Sequence, residues 1–481
     1  MSEFPLDNFE QEEHPMASTD NVPANKGSVQ IGKDGLPMNV IREESVSKPV
    51  EAKKTSSSSG SGAEEEDEHS EEEDKGPKIV RTRRFATIMN ILNSMLGAGI
   101  LSIPNTFVNT GFVTSIIILI IMAILSLLAT NLEITLAHQT SSKGLGELTF
   151  NILGKWGTLI LTILNLLFLI TALVAYLILA GDMVISWFEL GGIDLNSMKW
   201  RAITELVYGL AIPIALTIPR NIGFLKYFST ATVICISFFC ISMLVKMGLY
   251  LKEHGQKINE TAVMSKIDIT LFSSLSIYGL SFALPAVVLP AIKLYNPLVR
   301  KRKIVSMWAV IIASILFLIP GVSGYICFGA ATDGNVLKNF EPNDILIILC
   351  RACFFIVVSS AYPMVAQSVQ GMWSQLIFGN DQPATLPTIK RAVILCVTNI
   401  IPLLVAMFLP SAKPALAIGG ALGGCLVDFV FPCLMFIVYH KGEHKWYYYK
   451  TILVALFLVF GFVSAVIATY TAITDAINAF S

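Results

Sequence analysis

The chain has 481 residues, of which 54% are hydrophobic and 14% are charged, and its mean hydropathy is +0.65. Soluble domains average about 25% charged residues, so the composition excludes an ordinary soluble protein and indicates an integral membrane protein. The formal net charge of -1 hides a strong segregation, because acidic residues cluster before residue 75 and basic residues concentrate in particular loops. Nothing in this distribution indicates a nucleic-acid partner.

Residues 1–80 are rich in Ser, Glu, Lys, Pro and Gly, which is typical of a disordered segment. We therefore predict two regions, an acidic cytosolic tail over residues 1–80 and a transmembrane domain over residues 81–481. Ser70 precedes an acidic run and is a candidate kinase site, so the tail is a candidate binding segment for a cytosolic partner. The alternative is a tail that only interacts with solvent.

Eleven hydrophobic stretches are long enough to cross a lipid bilayer, for which a helix needs about 20 apolar residues. We call them spans one to eleven in chain order, and they cover residues 86–108, 112–138, 156–187, 202–218, 226–251, 269–292, 304–328, 343–376, 388–409, 413–439 and 450–475. The predicted fold class is therefore an all-α integral membrane protein with about 11 transmembrane helices.

The loops between these spans predict the orientation of the chain. If the tail lies in the cytosol, the inner loops carry far more Lys and Arg than the outer loops, as membrane topology normally requires. This places the N-terminus in the cytosol. The sequence Asn259-Glu260-Thr261 then falls in an outer loop, where it predicts a glycoprotein with N-glycosylation at Asn259.

Two spans contain residues that favour interruption of a helix in mid-membrane. These residues are Gly97, Ala98, Gly99 and Pro104 in span one, and Gly279, Pro285 and Pro290 in span six. A lipid-facing helix keeps its backbone hydrogen bonds internal, so unwound backbone is tolerated only where it is buried in protein or lines a cavity. Interrupted helices at matching positions of two halves indicate the substrate site of a transporter.

Spans one to five and spans six to ten each begin with such a helix. Because five is odd, the second set inserts upside down relative to the first, which predicts a LeuT-type 5+5 inverted repeat with span eleven as an extra helix. Freed N–H groups at the two breaks could bind a carboxylate, and freed carbonyl groups could bind a cation.

The candidate substrate-binding residues follow from these breaks. They are Ser94, Gly97, Ala98 and Gly99 in span one, and Tyr278, Phe282, Ala283 and Leu284 in span six. The ring of Pro285 removes a helical hydrogen bond and leaves carbonyl groups for a substrate amine, with Tyr278 and Phe282 as walls. The alternatives are close helix packing through small residues and a proline kink that neighbouring helices satisfy.

The segment from Asn90 to Pro104, NILNSMLGAGILSIP, resembles the first-helix signature of the amino acid/auxin permease family. Within that family it is most similar to sodium-coupled neutral amino acid transporters and to fungal vacuolar amino acid transporters. The segment from Ser276 to Pro290 and the glycine-rich span ten add support, and the resemblance covers about residues 82–475. It implies an amino acid substrate and secondary active transport.

The resemblance also implies an ion site. Sodium-coupled relatives use an Asn at the position of Asn93, and LeuT-type folds place hydroxyl ligands near Ser359 and Ser360. Proton-exchanging vacuolar relatives carry the Asn too, so the coupling ion is left as Na⁺ or H⁺. The alternatives are an interhelical hydrogen bond for Asn93 and serines that cap a kink at Pro363.

Asp428 lies deep in span ten and is a candidate proton relay, because an unpaired charge at that depth is costly. The rival interpretation is a structural hydrogen bond to an unwound segment. Glu133 and Asp182 lie nearer helix ends, where we expect solvation at the membrane surface. We expect Lys246 and Arg351 to extend toward the surface in the same way.

No catalytic constellation, phosphate-binding loop or histidine pair for zinc appears, so we predict no enzyme, no metal site and no organic cofactor.

The predicted function is symport of amino acids by alternating access, with neutral amino acids as the expected substrates. The expected location is the plasma membrane or a vacuolar or lysosomal membrane. A transceptor of the same fold, which binds an amino acid and signals, is the alternative. A channel would show continuous polar helix faces, which are absent from the sequence.

Overall fold

A computed structural model describes residues 82–220, 226–380, 382–441 and 449–480. The predicted tail, residues 1–80, lies outside this part of the chain. The described part contains fifteen α-helices, and no strand occurs in it. They are α1 Arg84–Met95, α2 Ile103–Thr110, α3 Phe112–Gln139, α4 Leu145–Leu190, α5 Met198–Gly209, α6 Ala215–Thr217, α7 Lys226–Glu253, α8 Leu271–Ser281, α9 Pro285–Ile292, α10 Val299–Phe328, α11 Ile345–Phe378, α12 Thr388–Phe408, α13 Ala412–Gly419, α14 Phe431–Tyr439 and α15 Tyr449–Phe480.

Nine helices in the described ranges are long and apolar enough to cross a membrane. Spans one and four are not among them, whereas spans six and ten are each counted as one helix although they too consist of shorter pieces. Span one forms α1 and α2, and span four forms α5 and α6 around a π-helical turn, Leu210–Ile214, that contains Pro213. The all-helical membrane fold is thus confirmed, whereas the count of eleven spans stays a prediction.

Span three differs most from its predicted limits. Its helix α4 begins at Leu145, well before the predicted residue 156, and bends at Gly154, which has φ 71° and ψ −165°. Glycine tolerates this left-handed backbone because it lacks a Cβ. The extra first segment buries Leu145 and Leu148, an amphipathic feature that a search for uniformly apolar stretches overlooks.

Most of the helices form two groups that pack mainly within themselves, while α7 packs against both. One group contains the pieces of spans one and six together with spans two and seven, namely α1, α2, α3, α8, α9 and α10. The other contains α4, α5, α11 and α12. Span ten, formed by α13, a π-helical segment at Gly420–Val430 and α14, contacts both groups.

Glycines allow span ten to pack directly on α8. A Cβ on Gly279 would lie 3.3 Å from the Cα of Gly424, and a Cβ on Gly424 would overlap the backbone of Gly279. Gly279 therefore lies within α8 and serves close packing, so the prediction that it interrupts span six is wrong. Pro290 likewise lies inside α9 rather than at the break.

Candidate functional site

Span one is interrupted where the Gly-Ala-Gly sequence predicts. Helix α1 ends at Met95, Gly97 is extended with φ −129° and ψ −153°, and a 3₁₀ turn at Ala98–Leu101 leads into α2. Pro104 occupies the first turn of α2, where its missing N–H costs nothing. Within the described chain no backbone carbonyl accepts from the amide of Gly97, so this N–H is available to a ligand.

Span six is interrupted between Ser281 and Pro285. Side chains from neighbouring segments form hydrogen bonds to backbone groups on both sides of this break. The hydroxyl of Ser126 on α3 donates to the carbonyl of Phe282, 2.6 Å away. On the other side, the amide of Ala286 donates to Asp428 Oδ1 at 2.8 Å. The amide of Leu284 also donates to the Phe282 carbonyl at 2.6 Å, so both lone pairs of this oxygen are used and neither is left for a substrate amine.

The two breaks lie on one cavity of about 130 Å³. Four predicted substrate residues line it, namely Ser94, Gly97, Gly99 and Ala283. The rest of the lining is mostly apolar and comes from Met95, Phe168, Leu169, Ala172, Tyr176, Leu280, Ser281, Val287, Val365 and Leu416. None of these lining residues is an Asp, Glu, Lys, Arg or His.

Three predicted substrate residues lie away from the cavity. The hydroxyl of Tyr278 is 2.6 Å from that of Thr106 on α2. The ring of Phe282 packs edge-on against Phe317, with centroids 5.2 Å apart, and Leu284 is buried in the hydrophobic core. Ala98 contributes backbone at the break.

Tyr176 on α4 is the residue of this site that the sequence did not reveal. A Cβ added to Gly97 would lie 3.2 Å from the Tyr176 hydroxyl, so this hydroxyl faces the break directly. Ser281 holds a similar place at the other break, 2.9 Å from a Cβ added to Gly99. A single Tyr in a long apolar stretch carries no periodic signal, whereas Ser281 lies near the predicted proline break.

The three predicted ion ligands do not line the cavity. Asn93 is half-buried on α1. The hydroxyls of Ser359 and Tyr208 are 2.7 Å apart, and the Ser360 hydroxyl donates to the Val357 carbonyl at 3.0 Å. Helix α11 reaches the cavity through its Val365 side chain instead. A cation site built from these three residues stays a prediction.

Two carboxyl groups that we expected at the membrane surface are buried. Asp182 forms ion pairs with Arg201 at 3.0 Å and with Lys338 at 2.8 Å. Glu133 has no exposed surface and no hydrogen-bond partner within the described chain. The expectation of solvation is therefore wrong for both, because other helices and a loop cover them.

Two basic residues that we expected to extend toward the surface also have partners inside the protein. Lys246 pairs with Asp344, which caps the start of α11. Arg351 is buried and donates to the carbonyls of Leu337 and Phe340 at 2.9 and 3.0 Å. The loop before α11 folds back over the helices and supplies these partners.

The same loop, between α10 and α11, covers one end of the cavity region. It accepts two hydrogen bonds from the second part of span one: Ser102, just before α2, donates to the Gly334 carbonyl, and Asn105 on α2 donates to the Thr332 carbonyl, each at 2.6 Å. It also contributes Lys338 to the ion pairs on α4. The loop therefore connects α2, the second piece of the broken span one, to the second helix group.

The side chain of Asn259, in the loop before α8, forms hydrogen bonds through both its nitrogen and its oxygen. Its Nδ2 donates to the Cys327 carbonyl at 3.2 Å, and its Oδ1 accepts from the Thr261 hydroxyl at 2.7 Å. A glycan at this nitrogen would displace the first contact, and glycosylation stays a prediction.

Two interrupted helices that meet at a cavity inside an all-helical membrane domain define a transporter of the LeuT type. The sequence profile of the family described as "Transmembrane amino acid transporter protein" matches residues 82–474. The chain belongs to this family, the amino acid/auxin permeases. Family and fold together confirm the prediction that it is not an enzyme.

Curated relatives are similar over most of the chain. A putative sodium-coupled neutral amino acid transporter 10 from Xenopus laevis is 24% identical over 80% of this chain, and the match covers 37% of the relative. The sodium-coupled neutral amino acid transporter 7 from Danio rerio is 26% identical over 76% of this chain and 80% of its own length. The chain thus spans little more than a third of the first relative.

A solved structure shares the fold. MhsT, crystallised in complex with L-phenylalanine, superposes with a TM-score of 0.50 over 82% of this chain and 99% of its own. The two sequences are 12% identical, so the likeness shows the LeuT-type fold alone.

Proposed function

We propose that this chain is a secondary active transporter of neutral amino acids that works by alternating access. The observation that carries the proposal is the apolar, uncharged cavity at the two helix breaks. The free amide of Gly97 and the hydroxyl of Tyr176 are suited to a substrate carboxylate. A charged substrate side chain would find no counter-charge among the lining residues, and burying it unpaired would be costly.

The size of the cavity supports a small substrate. Its volume of about 130 Å³ is well below the roughly 300–1,000 Å³ of most small-molecule pockets. Phe168, Leu169 and Val365 would surround the substrate side chain. We therefore propose small neutral amino acids as the preferred substrates.

Both of these relatives are named as sodium-coupled transporters, which favours sodium as the coupling ion. We propose that Asn93 offers its amide oxygen, a hard neutral ligand suited to Na⁺. In the present conformation the hydroxyls of Ser359 and Ser360 contact Tyr208 and the Val357 carbonyl, so both would have to rotate to complete such a site. H⁺ is the alternative coupling ion.

We propose that the cavity opens here toward the side on which α1 begins, which the charges of the loops predict to be the cytosol. Asn90 and Ser94 lie one turn apart on the same exposed face of α1, and Ser94 also lines the cavity. The opposite end is covered by the loop that binds Ser102 and Asn105. Alternating access would move the group containing α1, α2, α8 and α9 against the group containing α4 and α11.

A counterflow assay tests the proposed substrate class. Purified full-length protein in liposomes preloaded with an unlabelled amino acid is given the same labelled amino acid outside, for neutral, acidic and basic types in turn. We expect label to enter with alanine or serine and not with glutamate or lysine. Equal counterflow for charged amino acids, or binding without any counterflow, would contradict the proposal. The second result would favour a sensor.

A further inference from the structure

One face of α3 carries three polar residues, and the first of them contacts the break in span six. Ser126, Thr130 and Glu133 are spaced four and three residues apart and so share a helix face. Ser126 bonds the carbonyl of Phe282. The Thr130 hydroxyl and both carboxyl oxygens of Glu133 are buried and have no partner within the described chain. Orphaned groups of this kind need an explanation, such as an ion or a catalytic role.

Asp428 reaches the other edge of the same break from span ten. Its Oδ1 accepts from the amide of Ala286, while its Oδ2 is buried without a partner. Helix α3, which carries Glu133, packs directly on the π-helical segment that carries Asp428, and no hydrogen bond joins the two carboxyls. In the described ranges neither carboxyl forms a salt bridge with Lys, Arg or His.

Two buried carboxyls without a cation cannot both be charged at an acceptable cost. Each unpaired charge would cost several kcal/mol at this depth, and like charges repel. The pair therefore holds at least one proton. Asp428 is the better site for the negative charge, because it accepts a hydrogen bond at the N-terminal end of α9. Glu133 has no such bond and is the better site for the proton.

We propose that Glu133 and Asp428 form a proton-binding site that takes up and releases one proton during transport. Asp428 accepts a hydrogen bond from the first turn of α9. A change in its charge therefore changes the strength of the bond that keeps α9, the second piece of span six, in place. The site is separate from the substrate cavity, which neither residue lines. The proposal rests on the proposed transport function and adds a pH gradient as a driving force.

Other titratable groups do not account for such a response near neutral pH. Those in the middle of helices packed around the pair are Tyr176 of α4, Tyr278 of α8, Cys425 of the π-helical segment and Cys433 of α14. Cys425 lies three residues before Asp428 on the same segment. Helix α9 carries no ionisable side chain. Thiols and phenols ordinarily titrate at about pH 8.5 and about pH 10, so carboxyls are the groups to test between pH 5 and 8.

The test compares two fluxes of the same protein in liposomes. The first is counterflow of a neutral amino acid at equal pH, which depends on the transport function alone. The second is net uptake driven by an imposed pH gradient with equal sodium on both sides. The variants are Glu133→Gln and Asp428→Asn, with Glu147→Gln as the matched control, because Glu147 is an exposed carboxyl on α4.

We expect the ratio of pH-driven uptake to counterflow to fall at least tenfold in Glu133→Gln, and to stay at the wild-type value in Glu147→Gln. An unchanged ratio in Glu133→Gln, or wild-type counterflow without any response to a pH gradient, would overturn the proton site and leave the transport function intact. Absence of wild-type counterflow would instead refute the transport function.

A second measurement covers the case in which Glu133→Gln or Asp428→Asn fails to fold. Calorimetric titration of wild-type protein with the same amino acid, in buffers of different ionisation enthalpy, counts the protons bound or released with substrate. We expect a non-zero number that changes between pH 5 and 8. A count of zero throughout that range would mean that the pair is permanently protonated and only structural.

Discussion

At the residue scale, the break in span one needs a glycine at position 97 because a larger side chain would not fit there. The backbone conformation itself does not require glycine. Gly97 has φ −129°, which any residue can adopt, but a Cβ there would press on the Tyr176 hydroxyl. The sequence predicted this break and the cavity positions of Ser94, Gly99 and Ala283. It could not predict Tyr176, because only the packing of α4 against the break brings that hydroxyl to the site.

Gly97→Ala should reduce amino acid uptake by about tenfold or more. The added methyl group would lie 3.2 Å from the Tyr176 hydroxyl, and an overpacked contact costs about 1–3 kcal/mol, where 1.4 kcal/mol is a factor of ten. The measurement is initial uptake per folded protein. Gly248→Ala is the control, since nothing lies within 4 Å of a Cβ there. Full uptake by Gly97→Ala would contradict the site.

Tyr176→Phe should raise the KM for amino acid about tenfold or more and change the amount of folded protein little. Loss of a hydrogen bond to a charged group costs about 1.5–3 kcal/mol. Tyr470→Phe makes the same chemical change on an exposed face of α15 and serves as the control. An unchanged KM in Tyr176→Phe would mean that this hydroxyl does not bind the carboxylate.

At the element scale, the sequence predicted that span six is broken but not which elements satisfy the break. Pro285 marks where α9 begins, and no local pattern shows that Ser126 and Asp428 bond its two edges. The same limit applies to Tyr278 and Phe282. Their side chains pack against α2 and α10 rather than the cavity, which depends on the direction of α8 after folding.

Gly424→Ala should destabilise the contact between span ten and α8. Its Cβ would overlap the backbone of Gly279, and backbone cannot yield as a flexible side chain does, so we expect a cost of about 1–3 kcal/mol. The measurement is a lower apparent Tm of purified protein in detergent. Gly146→Ala, which meets nothing within 4 Å, is the control. Equal Tm values for the two variants would refute close packing at Gly424.

Asp182→Asn should loosen the loop between α10 and α11 and the α2 helix that it holds. The change removes the charge that pairs with Arg201 and Lys338, and breaking a buried pair costs about 3–5 kcal/mol. We expect faster hydrogen–deuterium exchange in the loop and in α2. Asp194→Asn, in an exposed loop, should leave exchange as in the wild type. Unchanged exchange in Asp182→Asn would show that these ion pairs do not close the cavity.

At the scale of the whole molecule, the cavity lies where the two helix groups meet, with lining residues from both. Hydropathy alone predicted the membrane class and most spans, because apolar length is a local property. It placed Asp182, Lys246 and Arg351 at the surface, because the partners of these residues lie far away in sequence. Contacts formed only in the folded chain therefore determine where these three residues lie.

The most direct test of the account is accumulation of a labelled small neutral amino acid in liposomes that contain the purified protein. A sodium gradient and a pH gradient are imposed separately, with an ionophore that dissipates each as its control. The account predicts accumulation above the external concentration under at least one gradient, abolished by the matching ionophore. Label that only equilibrates, or that does not enter under either gradient, would contradict secondary active transport.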